Sequence, residues 1–267
     1  MLGWGKGLAS WKSGGQSDGL RAWQRGTTMS ENHTEPTICG HGALWILGYG
    51  KFGRRAARVL RASLGGEVPM VIVDLQPKGP GPDGAELIVA DAVAWLANHL
   101  LSAAEVSCIV PALPLHLAAR WLETALRREG FPVEPHPLDD DVLAALPHPF
   151  RLGPYSAVAS HADFFCPDNC PEPESLCTHT GLPRPTPLYQ LLADLPLVDC
   201  TPLVVTSRQF APGVGGFFPE DLWRLLDSVK MLAPGNLFIA TACKCHGVVD
   251  GLRIGQTSED LHHGRYS

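Results

Sequence analysis

Five cysteines carry the spacing of a metal or redox site. Cys166, Cys170 and Cys177 stand at C-x3-C-x6-C in HADFFCPDNCPEPESLCTHTG, residues 161–181. Three thiols within 12 residues, among prolines that forbid long regular structure, can converge in a loop. A fourth ligand must come from elsewhere. The late stretch ATACKCHGV offers Cys243 and Cys245, with Cys245 taken as the fourth ligand; Cys200 and His246 rank below them. Four thiolates suit a [4Fe–4S] cluster, and the Cys166-Pro167 and Cys170-Pro171 steps resemble those of ferredoxin-type runs. Zinc also takes Cys or Cys/His sites, usually as paired C-x2–4-C hooks. The first pair fits that pattern, and C-x-C-H is an unusual second hook. Free thiols or a redox disulfide make up the reading without metal. His161, His179, His246 and Tyr155 are the candidate acid–base groups near these thiols.

A second pattern is that of a phosphate cradle. Gly48, Gly50 and Gly53 follow the apolar run Ala43–Leu47 at G-x-G-x-x-G spacing, and a helical pattern opens at the third glycine. A second apolar run, Met70–Val73, ends in Asp74, 21 residues after Gly53. Gly48 would allow the tight turn, Gly50 the approach of a pyrophosphate, and Gly53 close helix–strand packing. Lys51 and Phe52 stand between the second and third glycines and are assigned to the cofactor with them. The helix N-terminus adds unpaired N–H groups and partial positive charge. Asp74 would accept the ribose 2′-hydroxyl and repel a 2′-phosphate, which favours NAD(H) over NADP. Glu86–Ala90 makes a third strand ending at Asp91, and Val106–Pro111 a fourth.

The stretches LGYGKFGRRAARVL, VIVDLQP, LIVADA and CIVPALP resemble the TrkA N-terminal fold, the NAD-binding RCK/KTN domain of bacterial potassium-uptake subunits. The resemblance covers about residues 43–128. It implies a Rossmann-type domain in which Gly48, Gly50, Gly53, Asp74 and Asp91 hold the dinucleotide. No second domain of the potassium-regulator type follows.

These residues need elements to hold them. The expected fold is α/β: a Rossmann-like, mostly parallel sheet with helices on both faces, extended by a C-terminal α/β half that carries the cysteine loop. The expected parts are a leader (1–36), a dinucleotide-binding half (37–130), a cysteine-bearing half (131–255) and a polar tail (256–267). MSENHTEPT reads as an ordinary start, so Met29 is the expected first residue. The helix after the glycine turn places Phe52, Ala56, Val59, Leu60 and Ser63 on one apolar face. In the second half, Tyr155–Ser160, Leu203–Thr206 and Asn236–Cys243 read as strands. Thr186 reads as the cap of a helix through Leu195, Gly213–Gly216 as a glycine-rich loop, and Gly247–Ile254 as an edge strand. The aspartates 139–141 read as a solvated turn or a helix N-terminal cluster. Cys108 reads as a small buried hydrophobe, and His99 as a half-exposed helix residue.

Charge narrows the partners. Net charge is −6, and residues 131–200 hold ten acidic residues against two basic ones, Arg151 and Arg184. No basic stripe exists, which argues against nucleic acid. No apolar run approaches the about 20 residues that span a bilayer. A cytoplasmic protein is expected, in which eight cysteines point to metal or redox chemistry before disulfides. The expected partners are the dinucleotide and a redox or regulatory protein, with a homodimer allowed. Three roles remain open: an NAD-dependent oxidoreductase, a non-enzymatic NAD(H) sensor, or a structural zinc protein with a vestigial nucleotide cleft.

Overall fold

A computed structural model describes residues 42–101 and 104–257, all within the compact unit Pro36–Ser267. Met29, Cys39 and residues 258–267 of the expected tail lie outside the described residues. The apolar runs of the first half become parallel strands β1 (Ala43–Leu47), β2 (Met70–Asp74), β3 (Ala85–Val89) and β4 (Val106–Pro111), ordered β3-β2-β1-β4. Parallel strands are covered on both faces, so they read as nearly unbroken apolar runs. Leu44 and Ile46 face helix α1 (Lys51–Leu64), together with the buried Cys108. Trp45 points the other way and meets Trp95 of α2 (Ala92–His99) edge-on at 4.7 Å. His99 is exposed and stacks on Trp95.

The buried face of α1 is Gly53, Ala56, Ala57 and Leu60. Phe52, expected on that face, is 60% exposed. The cause is the close fit at the third glycine, which turns the small residues onto the sheet and leaves Phe52 at the rim.

The second half forms its own mixed sheet. Its strands are β5 (Val133–Pro135), β6 (Phe150–Gly153), β7 (Ser156–Ser160) and β8 (Thr201–Thr206). A short hairpin follows, β9 (Arg208–Ala211) and β10 (Val214–Gly216), and then β11 (Gly235–Ala242) and β12 (His246–Ile254) return to the sheet. The order is β6-β7-β12-β11-β8, with β5 also on β12, and of these pairs only β8–β11 is parallel. Helices α3 (Leu117–Arg128) and α6 (Pro219–Leu232) lie between the two sheets, α6 against β4 and β8, α3 against β5 and β11. The far face of the second sheet is closed by α5 (Leu188–Ala193), whose Leu188 and Leu192 join Phe238, Ala240 and Val249 in a second core.

Several local expectations change. Gly247–Ile254 is not an edge: β12 is flanked by β11 on one side and by β7 and β5 on the other. The segments 133–135 and 150–153 are short strands that apolar alternation does not reveal. The loop expected at 213–216 is the second strand of a hairpin, and Phe217 bridges to Ile109 of β4. Pro187, not Thr186, occupies the N-cap of α5, and no side chain caps it. The three aspartates open a short helix, α4 (Asp140–Ala144), and Asp140 and Asp141 lie in its first turn where the dipole favours acids.

A buried polar link joins α3 to the second sheet. His116, at the N-cap of α3, shares a hydrogen bond through Nδ1 with Asp250 Oδ2 (2.8 Å) and one through Nε2 with Thr241 Oγ1 (2.9 Å).

Candidate functional site

The glycine turn lies at the carboxyl end of β1. A Cβ on Gly48 would stand 2.4 Å from the Ala112 carbonyl oxygen, and one on Gly53 would stand 1.9 Å from that of Gly48. Both glycines are therefore demanded by packing. Gly50 differs: a Cβ there meets nothing within 4 Å. It caps α1 with no side-chain hydrogen bond, and the first turn holds no acidic residue. Asp74 closes the turn from β2, accepting the Tyr49 N–H at 2.5 Å and the Gln76 N–H at 2.7 Å. Asp91 stands on the same rim at the end of β3, where it accepts the Ala94 N–H at 2.8 Å and caps α2.

The cysteine loop follows β7, and Cys243 and Cys245 follow β11. Together they line one cavity of about 850 Å³. Cys166, Cys170, Cys177, Cys243 and Cys245 all reach its wall, as do His161 and His246. The structure thus brings together the thiols expected from both stretches. Cys200 is absent from this wall; it packs beside the second core, and burial pushes its thiol up to about 11. His179 stacks on Phe164 at 4.2 Å instead of lining the cavity, and Tyr155 is not on its wall.

Local hydrogen bonds set these thiols apart. Cys177 has its pKa lowered, first by the Thr180 backbone N–H, then by the Thr180 hydroxyl. Cys243 is pushed up to about 12 by burial and the nearby Glu172. Its sulfur nevertheless accepts the N–H groups of Cys245 and His246, each at 3.4 Å. Burial raises Cys166, and Cys170, Cys245 and Cys177 add to that by repulsion. Burial also raises Cys245, against the opposing pull of Arg184, whose Nη1 donates to the Cys245 sulfur at 2.6 Å. His246 and His161 both have lowered pKa values, chiefly from burial.

The glycine turn and the cavity meet. Phe52, in the first turn of α1, lines the cavity wall. Lys51 Nζ lies 3.2 Å from Asp168 Oδ2 of the cysteine loop. The β9–β10 hairpin ties the same parts together. Gln209 Nε2 and the Gly213 N–H donate to the Cys170 carbonyl at 2.7 and 3.0 Å, and Arg55 donates to the Pro212 carbonyl at 3.2 Å.

The residues fit the two expected groups differently. The open cradle at Gly50 and the uncapped start of α1 suit the pyrophosphate of a dinucleotide. The thiol set has the chemistry of a thiolate metal site, but its arrangement does not close around an ion. Among the described residues, no three His, Cys, Asp or Glu side chains are grouped to hold a metal. Arg184 stands among the sulfurs instead. Reading for metal spacing passes over Arg184 and Asp168, which form part of the cavity. The signal for Arg184 was its rarity, as one of two basic residues in an acidic stretch. The His116–Asp250 pair had no local signal, since 134 positions separate the partners.

A family profile described as "Uncharacterized protein, C-terminal domain" matches residues 117–255, the span from α3 through β12. A protein of Archaeoglobus fulgidus described as "Uncharacterized protein" is 29% identical over 224 residues, covering 78% of this chain and 98% of that protein. No solved structure matches the chain.

Proposed function

The chain belongs to the AF_1314_C family, and because the matched span holds every cysteine of the cavity, we propose that it is an NAD(H)-binding redox protein whose dinucleotide lies along the glycine turn and ends beside those thiols. The observation that carries this reading is the shared wall: Phe52 belongs both to the first turn of α1 and to the cysteine cavity.

Each residue has a task in this reading. The first N–H groups of α1 and Lys51 bind the pyrophosphate, and Gly50 leaves room for it. Asp74 faces the adenosine ribose and rejects a 2′-phosphate by charge. Strand order turns at β1, with β2 on one side and β4 on the other. That is the place where open parallel sheets bind nucleotides. The hairpin packs on β4, so the cavity residues beside it would meet the far end of a bound dinucleotide. When bound, the nicotinamide supplies or accepts a hydride. Phe52 lies against one side of that end, and His246, whose pKa is lowered, can take up a proton as a neutral imidazole. The resemblance of residues 43–128 to NAD-binding regulator domains supports the same ligand. Among the described residues no helix is long and apolar enough to cross a membrane. We assign the protein to the cytoplasm, where such thiols stay reduced.

Two further readings have observations in their favour. In the first, the protein is a regulator that reports its nucleotide state to a partner protein; the Lys51–Asp168 contact favours it, since it links the phosphate cradle to the cysteine loop. In the second, the cavity is a thiolate metal site, iron–sulfur or zinc, favoured by five thiols on one wall and the N–H bonds onto Cys243.

The nucleotide reading is tested by titrating NADH and NADPH against wild type and Gly50→Ala, followed by fluorescence. The expected result is NADH binding over NADPH, weakened roughly tenfold, about 1.4 kcal/mol, in the variant. Gly50→Ala should keep its stability within about 0.5 kcal/mol, because its methyl meets nothing in the chain. Wild-type protein that binds no NADH at millimolar concentration would refute the reading.

A further inference from the structure

The cysteine cavity is built around a cation that the chain supplies itself. Arg184 is brought there by its own loop. Its N–H donates to the Ser175 carbonyl at 2.9 Å, Leu176 pairs with Pro183, and the Gly181 N–H closes a turn onto the Cys177 carbonyl at 2.8 Å. The chain therefore doubles back after Cys177 and delivers the guanidinium to the sulfurs. Nη1 donates to Cys245 Sγ at 2.6 Å, and Cys170 and Cys245 both act on the guanidinium by charge and by hydrogen bonding. Among the described residues Arg184 forms no ion pair with a carboxylate, and its Nε is buried without a partner. A partly buried guanidinium needs acceptors for its N–H groups. Here the Cys245 sulfur accepts one of them.

We propose that Arg184 is a placeholder cation: its guanidinium fills the space in which Cys170 and Cys245, with Cys166, would ligate a thiophilic metal ion, and the metal enters only as Arg184 swings out. This rests on the metal-site reading of the cavity. It explains why thiols on one wall are not grouped as ligands. A metal draws sulfurs to about 2.3 Å from a single point, whereas a planar guanidinium holds its acceptors farther apart. It also gives the exchange a charge balance. Each ligating thiol releases its proton on loading, and the thiolates so formed neutralise the incoming dication while the guanidinium leaves. Glu172, on the same wall, is a carboxylate within the cavity that can receive the displaced arginine.

The test uses metal-free, full-length protein titrated with Co²⁺ under reducing, anaerobic conditions and followed by thiolate-to-cobalt charge-transfer absorption. Wild type, Arg184→Gln and Cys170→Ser are compared, each checked for folding by its thermal melt. Arg184→Gln should bind Co²⁺ about tenfold tighter or better, since no charged hydrogen bond to sulfur must be broken, and Cys170→Ser should lose the charge-transfer band. If Cys170→Ser loses the band while Arg184→Gln binds equally or more weakly, the metal site stands and the placeholder role falls. If neither wild type nor Arg184→Gln shows the band, both fall. Should Arg184→Gln fail to fold, Arg184→Lys replaces it: with fewer donors to break, it should bind at least as tightly as wild type, and weaker binding overturns the proposal.

Discussion

Two thiols on the wall of one cavity meet different fates because of what touches them. The Thr180 N–H and hydroxyl hold Cys177 below the ordinary thiol range, while burial and Glu172 push Cys243 up to about 12. The thiolate is the nucleophile. In metal-free protein, iodoacetamide should therefore modify Cys177 first, at a pH where Cys243 stays untouched. Peptide mass spectrometry along a pH series reads this directly, and equal labelling of the two would contradict it. A second residue-scale case is Asp250. Burial alone would raise its carboxyl, but hydrogen bonds from His116 and Ser156, with the His116 and Arg120 charges, hold it below the usual range. A depressed carboxyl pKa gives stability that is present above the unfolded value and lost as pH falls through the folded one. Urea melts should show wild-type stability falling as pH drops below about 4. At pH 7, Asp250→Asn should cost about 3 kcal/mol, because it strips a buried imidazole of its charged partner. Its acid limb should also be flatter. A variant as stable as wild type would show that the pair does not hold α3 to the sheet.

At the scale of elements, the β9–β10 hairpin joins the two halves of the site. Its turn presses against the cysteine loop so closely that a Cβ on Gly213, which has φ +73°, would stand 1.7 Å from the Asp168 carbonyl oxygen. A side chain there is strained by about 1–2 kcal/mol from its backbone angle alone, and it must also push the loop away. Gly213→Ala should destabilise by at least that amount and should speed alkylation of Cys166 and Cys170; unchanged labelling would show that the loop does not depend on the hairpin. The hairpin was also the element hardest to read. VGG has no alternation and no β-branched pair, so it resembles a loop. It becomes a strand because Phe217 finds a partner in Ile109, more than 100 positions earlier. The first four strands were legible for the opposite reason: burial on both faces leaves an unbroken apolar run that needs no partner to be recognised.

At the scale of the molecule, the question is whether the two pockets communicate. Lys51 and Asp168 meet at 3.2 Å with side chains 74% and 48% exposed. Such a pair contributes only about 0–1 kcal/mol, too little to weld the halves and suited to exchange. A pyrophosphate at the start of α1 would compete with Asp168 for Lys51. Asp168→Asn should therefore tighten NADH binding by up to about fivefold at low salt, and the gain should vanish at high salt as screening removes the competition. No change at low salt would leave the two pockets as neighbours without coupling.

The sequence by itself determined the parts that rest on local chemistry. It located the glycine turn between two strands, the acid after the second, the α/β class, and the two cysteine stretches. Each of these is a short-range matter of backbone freedom, periodicity or spacing, and needs only a few consecutive residues to be visible. Tertiary structure alone decided the rest. The second half forms a separate mixed sheet with β12 inside it, Arg184 stands among the thiols, and one helix turn shares a wall with the cysteine cavity. Those outcomes come from pairings across long separations, where what matters is which surfaces can be buried against each other, and no stretch of neighbouring residues records that.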